Sequence, residues 1–138
     1  VEEEFNKPVK LNGKEVIVRG FIDLGYSKRV ADYKTTSGYG YNLKKRGIDH
    51  DLQLSIYSWA TGRRAVEQIC LVKGNTPEVK SIVSDRSPGQ IKYALAVAEQ
   101  VLDAIDRGAF PMCDPGQWNC SKLYCGFFSR CRGKIEAK

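Results

Sequence analysis

Val30-Ala31-Asp32-Tyr33-Lys34-Thr35-Thr36, residues 30–36, is the stretch on which the reading of this chain turns. Its β-branched and aromatic residues suit a strand. A strand sends alternate side chains to opposite faces, so Asp32 and Lys34 point together while Ala31 and Tyr33 point the other way. A carboxylate is thereby set beside an ammonium. Taken alone, an Asp-x-Lys on a strand most often marks an ion pair on the wet face of a sheet.

The neighbouring sequence gives the pair more meaning. Residues 15–24 (EVIVRGFIDL) form a preceding strand that ends near Asp23, and the turn Gly25-Tyr26-Ser27-Lys28 returns the chain into a strand over 29–35. The Asp23 carboxylate then comes within reach of Asp32. Two carboxylates and a neighbouring backbone carbonyl make a hard oxygen site for Mg²⁺ or Mn²⁺. With Lys34 orienting a water and balancing developing charge, such a site can hydrolyse a phosphodiester.

Working outward, residues 1–9 alternate as a strand, and Leu11-Asn12-Gly13-Lys14 supplies an Asn-Gly hairpin turn, so three consecutive strands predict an antiparallel meander. Residues 37–47 are Gly- and Tyr-rich and read as a loop. A helix follows over 49–61, with Asp49 as N-cap and Gly62 as its stop. Leu52, Ile56 and Trp59 or Ala60 share one of its faces, and Gln53 and Tyr57 another. Residues 66–73 and 78–85 are two further strands joined by a turn containing Gly74, Asn75 and Pro77. Ser87-Pro88-Gly89-Gln90 is a capping-box helix start, Ile91, Leu95, Ala98, Leu102 and Ile105 mark the buried stripe, and Gly108 ends the helix. Pro111, Pro115 and Gly116 then break regularity before an irregular tail.

Gly20-Phe21-Ile22-Asp23, then the 30–36 stretch, then Gln53-Leu54-Ser55-Ile56-Tyr57 resemble the RecB-like branch of the PD-(D/E)xK nuclease superfamily, which carries a G-x-x-D segment, a D-x-K strand followed by small hydroxyl residues, and a Q-x-x-x-Y helix in this order. The motifs cover roughly residues 1–60, and element order covers the rest. The resemblance implies an α/β, restriction-endonuclease-like core: a mixed central sheet of about five strands with flanking helices and a Cys-rich tail. It implies that Asp23, Asp32 and the Tyr33 carbonyl hold Mg²⁺ or Mn²⁺, that Lys34 is the catalytic lysine, and that Gln53 and Tyr57 border the site and contact the substrate strand. Many relatives also place a His or Glu on a helix before the first strand. This chain shows no such helix, and its single His50 reads as an exposed helix-start residue rather than a ligand.

Four of the five cysteines, Cys113-x₆-Cys120-x₄-Cys125-x₅-Cys131, crowd the end of the chain, where thiolates suit zinc or an iron–sulfur cluster. The segment resembles the cysteine-rich ends of RecB-like nucleases in helicase-nuclease complexes and CRISPR adaptation, which bind a [4Fe–4S] cluster. Its spacing is wider than theirs, and reduced thiols in an aromatic-rich tail are the other reading. Cys70 reads as a core residue.

The chain's 138 residues, 42% of them hydrophobic, predict one domain, with a catalytic core over 1–110 and the tail over 111–138. The chain opens on Val directly in strand-like sequence, which suggests that an N-terminal segment is not represented. No apolar run approaches the ~18 residues of a membrane span, and no signal peptide opens the chain, so a cytoplasmic protein is expected. A net charge of +6 favours a polyanion. Lys44-Lys45-Arg46, Arg63-Arg64 and tail cations flank the proposed site in sequence, and Tyr39 and Tyr41 could stack on unpaired bases. The reading is a DNA nuclease, with exonuclease action favoured over site-specific cutting. It would act in recombination, repair or phage DNA processing, with a helicase or recombination partner as a further expectation. A catalytically silent nucleic-acid-binding module and a zinc-stabilised interaction domain are the alternatives.

Overall fold

A computed structural model describes residues 2–37, 48–109, 113, 117 and 119–131. The chain groups into two compact units, Val1–Leu102 and Asp103–Lys138.

The first unit opens on a hairpin in which β1 (Glu3–Leu11) pairs antiparallel with β2 (Lys14–Ile22). Asn12 and Gly13 between them have φ of 49° and 78°. Positive φ at both central positions is what the tight hairpin turn matched to strand twist requires, and Asn-Gly adopts it at the least steric cost. The hairpin forms a two-stranded sheet of its own. At Asp23 the chain bends into the two-residue β3 (Leu24–Gly25), which pairs antiparallel with β4 (Arg29–Ser37). The second sheet runs β3-β4-β5-β6. Among the described residues the mixed central sheet has four strands beside the two-stranded hairpin sheet, and the expected meander is split between the two, because the bend at Asp23 ends one ladder and starts the next.

β4 lies parallel to β5 (Ala65–Lys73), which pairs antiparallel with β6 (Glu78–Asp85). Parallel neighbours need a crossover. The connection here contains α1 (Leu52–Thr61), and its packing decides the core. Ile22, Val30, Ile48, Leu54, Tyr57 and Val66 form one buried cluster, with Phe5 and Ile82 packed against it. Each large aliphatic side chain so buried contributes about 1.5–3 kcal/mol. Helix α1 departs from expectation in two ways. Its N-cap is Asp51 rather than Asp49, with an extended backbone and a side chain that accepts from the Leu54 N–H at 3.0 Å. Its buried residues are Leu54, Ser55, Tyr57 and Ser58, whereas Leu52 is exposed. Two small serines leave room for the helix to lie close to the sheet, so Leu54 and Tyr57 set the inward face.

The hairpin is tied to α1. The Lys7 ammonium donates to the carbonyls of Trp59 and Ala60 at 2.8 and 3.1 Å, satisfying acceptors that the helix end leaves open. Phe5 stands edge-on to Tyr57, with ring centroids 6.1 Å apart. Its ring lies over Gly20, where an added Cβ would fall 2.6 Å from a ring carbon. This close approach gives the glycine of the G-x-x-D segment a packing reason.

α2 (Pro88–Asp106) starts with the expected capping box: the Ser87 N–H donates to Gln90 Oε1 at 2.8 Å, and the Gln90 N–H donates to Ser87 Oγ at 3.2 Å. Its stripe is covered less fully than predicted. Ala94 alone is fully buried, Ile91, Leu95, Ala98 and Leu102 are half-buried, and Ile105 is exposed. In the second unit, Gly108 adopts φ 63° and the Ala109 N–H reaches back to the Ala104 carbonyl at 2.8 Å, closing the helix. The short α3 (Phe128–Cys131) follows a run of turns.

Candidate active site

Alternation along β4 sends Val30, Asp32 and Lys34 to the face on which α1 packs. Asp32 is 2% exposed. Its Oδ2 meets Lys34 Nζ at 2.5 Å, as an ion pair rather than a well-directed hydrogen bond. The same ammonium donates to Gln53 Oε1 at 2.8 Å, and Gln53 Nε2 donates to the Tyr57 hydroxyl at 2.7 Å. One turn of α1 separates Gln53 from Tyr57, so both project from one side of the helix. A continuous chain thus runs Asp32, Lys34, Gln53, Tyr57.

Asp23 joins from the bend. Extending the β3–β4 register by one pair sets it opposite Asp32. Its Oδ2 accepts from the Tyr33 N–H at 2.9 Å, leaving Oδ1 for another partner. The two carboxylates feel each other. Burial raises the Asp32 pKa above its ordinary value, by more than the pairing with Lys34 lowers it, and the charges of Asp23 and Asp51 push the same way. For Lys34, burial pulls the pKa down, but the Asp32 contact and charge outweigh it and lift the amine above its ordinary value. The partners differ because Asp32 lies deeper than Lys34, and the carboxylate's burial governs the pair. Burial, together with the charges of Asp32 and Asp23, also raises the Tyr57 phenol, despite its bond from Gln53. Tyr57 therefore stays protonated, with a proton to donate.

The donor set is hard: two carboxylates and the Tyr33 carbonyl between the two site residues of β4. Such oxygens fit Mg²⁺ or Mn²⁺. The burial of the Asp32 carboxylate with the charge of a second carboxylate, Asp23, acting on it is the structural observation in favour of a cation there. Asp51 was not singled out from the sequence, yet its charge acts on both Asp32 and Lys34. The signal was an Asp before Leu52 at the true helix start. Gln68 on β5 was also missed; it is 3% exposed, and its Oε1 is buried without a hydrogen-bond partner.

Other expected residues are placed elsewhere or not described. Tyr39, Tyr41, Lys44, Lys45 and Arg46 lie outside the described residues. Arg63 pairs with Glu3 at 2.7 Å, and Arg64 Nε donates to the Arg86 carbonyl at 3.0 Å, so both make contacts within the fold. His50 is exposed and lines, with Asp49, Ser55 and Gln90, a hollow of about 510 Å³ that includes none of Asp23, Asp32, Lys34 or Gln53. Cys70 is fully buried, as expected. In the second unit Cys120 and Cys125 are half-buried, and Cys113 and Cys131 are exposed. Among the described residues no three His, Cys, Asp or Glu side chains gather as metal ligands. The described cysteines as placed thus do not form a cluster or zinc site. None of the described helices is long and apolar enough to cross a membrane.

A mixed sheet with flanking helices, carrying an Asp-x-Lys strand beside a second carboxylate, defines a restriction-endonuclease-like α/β protein. Residues 1–132 match the family model of the PD-(D/E)XK nuclease superfamily, and the chain belongs to that superfamily. Among solved structures, the crystal structure of SSO0001 is similar in fold, with a TM-score of 0.61 and 21% identity, over 94% of this chain and 58% of that one. The chain thus spans a little over half the length of that protein. No curated protein matches.

Proposed function

We infer that this chain is a Mg²⁺- or Mn²⁺-dependent deoxyribonuclease of the RecB-like branch, acting as an exonuclease in recombination, repair or phage DNA processing in the cytoplasm. The observation that supports it best is the double hold on Lys34, 2.5 Å from Asp32 and 2.8 Å from Gln53. Residues that the sequence separates into a strand motif and a helix motif meet at one amine.

Asp23, Asp32 and the Tyr33 carbonyl would hold the cation. Bound there, it supplies a Lewis acid for a phosphoryl oxygen and a more acidic water. Lys34, fixed between two partners, orients the attacking water and offsets the negative charge that grows in the transition state. Gln53 keeps the amine in place, and the protonated Tyr57 can donate to a phosphate oxygen of the substrate strand. The cysteine tail enters no step.

Cleavage of end-labelled DNA with Mg²⁺ or Mn²⁺ tests the reading. Asp32→Ala and Lys34→Ala should lose cutting while DNA binding persists, and a covalently closed circle should resist the wild type. Wild-type cutting by both variants would exclude the site.

A further inference from the structure

Asp32 on β4 has Gln68 on β5 as its parallel register partner. Side chains of such partners leave the same face of the sheet, on strands about 4.8 Å apart. Gln68 is 3% exposed, and its Oε1 is buried with no hydrogen-bond partner; the facing Asp32 is 2% exposed, and its Oδ2 has the Lys34 ammonium at 2.5 Å. Both atoms are acceptors, so neither can satisfy the other. A positive centre lying between the two strands would satisfy both oxygens. Lys34 is one such centre for Asp32, but its own register partner is Cys70, one position further along the face from Gln68.

We propose that Gln68 Oε1 is a further oxygen ligand of the divalent-cation site, facing the Asp32 carboxylate from the neighbouring strand. The inference rests on the cation reading of Asp23 and Asp32 and adds a residue outside the motifs that suggested it. An amide carbonyl is a hard, neutral donor of the kind that Mg²⁺ and Mn²⁺ accept beside carboxylates. Being neutral, it completes the coordination without adding a third negative charge next to Asp32 and Asp23. It also explains why a glutamine occupies a buried strand position flanked on its own face by Val66 and Cys70.

The test measures Mn²⁺ binding directly, by calorimetry and by the loss of the free-ion electron paramagnetic resonance signal, with no nucleic acid present. Gln68→Met fills the same volume without the oxygen, and should bind Mn²⁺ about tenfold or more weakly while the metal-free protein melts no lower than wild type. Gln68→Glu restores an oxygen and should bind at least as tightly as wild type. Gln68→Asn withdraws the amide by one methylene, should weaken binding like Gln68→Met, and serves if that variant fails to fold. Wild-type affinity in both Gln68→Met and Gln68→Asn overturns the proposal. Asp32→Asn separates the two levels: if it loses Mn²⁺ while the Gln68 variants keep it, only the Gln68 assignment fails. If it keeps Mn²⁺, or if wild type binds none, the carboxylate site fails and Gln68 with it.

Discussion

Gln53 Oε1 accepts a hydrogen bond from Lys34 Nζ at 2.8 Å, joining the first turn of α1 to the D-x-K strand. The amide's other end is held by the Tyr57 hydroxyl at 2.7 Å, so its orientation is fixed from both sides. Without the glutamine, the Lys34 ammonium keeps Asp32 but loses the partner that sets its direction. Gln53→Leu should therefore fold normally and lower kcat as much as about a hundredfold, the scale on which misplacement of a reacting group acts, with little change in KM. Single-turnover cleavage with saturating Mn²⁺ measures it. An unchanged rate would show that Lys34 needs only Asp32. Tyr57→Phe removes the far anchor alone and should cost less.

Asp32 predicts an unusual stability profile. Its carboxylate is raised in the fold, chiefly by burial, above an ordinary pKa of 3.8. The native state therefore keeps a proton that the unfolded chain has lost, so stability falls as pH rises from 3.8 through the raised value, and ionised Asp32 costs stability at neutral pH. Lys34 runs the other way: its raised pKa contributes stability below 10.5 that disappears as pH climbs through the folded value. Metal-free Asp32→Asn should melt above wild type at pH 7, with the gap closing on acidification toward pH 3.8. Saturating Mn²⁺ should reverse the order, because only wild type gains binding energy. Thermal melts in chelator and in Mn²⁺ across this pH range check both halves. A gap independent of pH would contradict the assignment.

What the sequence disclosed and what it withheld divide along the range of the interactions. Asn12-Gly13 and the Ser87-Gln90 box were legible because each is decided within four residues by backbone sterics or a reciprocal hydrogen bond. Asp32 and Lys34 were legible as a same-face pair because strand alternation is local. Their meeting with Gln53 and Tyr57 followed from family likeness, since nothing in the spacing says which side of α1 meets β4. The choice of Leu54 and Tyr57 over Leu52 and Ile56 as the inward face depends on Val30, Val66 and Ile22, residues distant in sequence. The bend at Asp23 and the parallel β4–β5 register are likewise tertiary, which is why Gln68 opposite Asp32 left no mark on the sequence pattern.

Arg86 carries a separate prediction about the scaffold. It is fully buried, its Nη2 donates to the carbonyls of Ile48 and Asp51, and its own N–H donates to the Arg64 carbonyl at 2.8 Å. Burial lowers its pKa, while the charges of Asp51 and Asp49 resist that shift. The guanidinium pins the turn that enters α1, and with it the Asp51 cap and Gln53. Arg86→Ala opens a cavity and frees the turn from its buried anchor, although the Ile48 carbonyl keeps the Asp51 N–H and the Asp51 carbonyl keeps Ser55, so it should destabilise by about 2–4 kcal/mol. Urea denaturation measures it. A loss below about 0.5 kcal/mol, the level of an ordinary surface change, would show that the turn holds without it.

Asp23 combines two roles that substitutions can pull apart. One oxygen accepts from the Tyr33 N–H at 2.9 Å and holds the bend that divides β2 from β3. The other is left for a cation. Asn keeps a carbonyl oxygen that can accept the same N–H, but it removes the charge, so Asp23→Asn should retain the wild-type melting temperature in chelator while binding Mn²⁺ more weakly. Asp23→Ala removes the acceptor as well and leaves the exposed Tyr33 N–H to water, which should cost about 0.5–1.5 kcal/mol of stability besides the metal. Comparing the two variants in melts and in Mn²⁺ titrations separates the bend from the ligand. If Asp23→Asn binds Mn²⁺ as wild type does, the carboxylate serves the bend alone, and the cation must be sought on the Asp32 side of the pair.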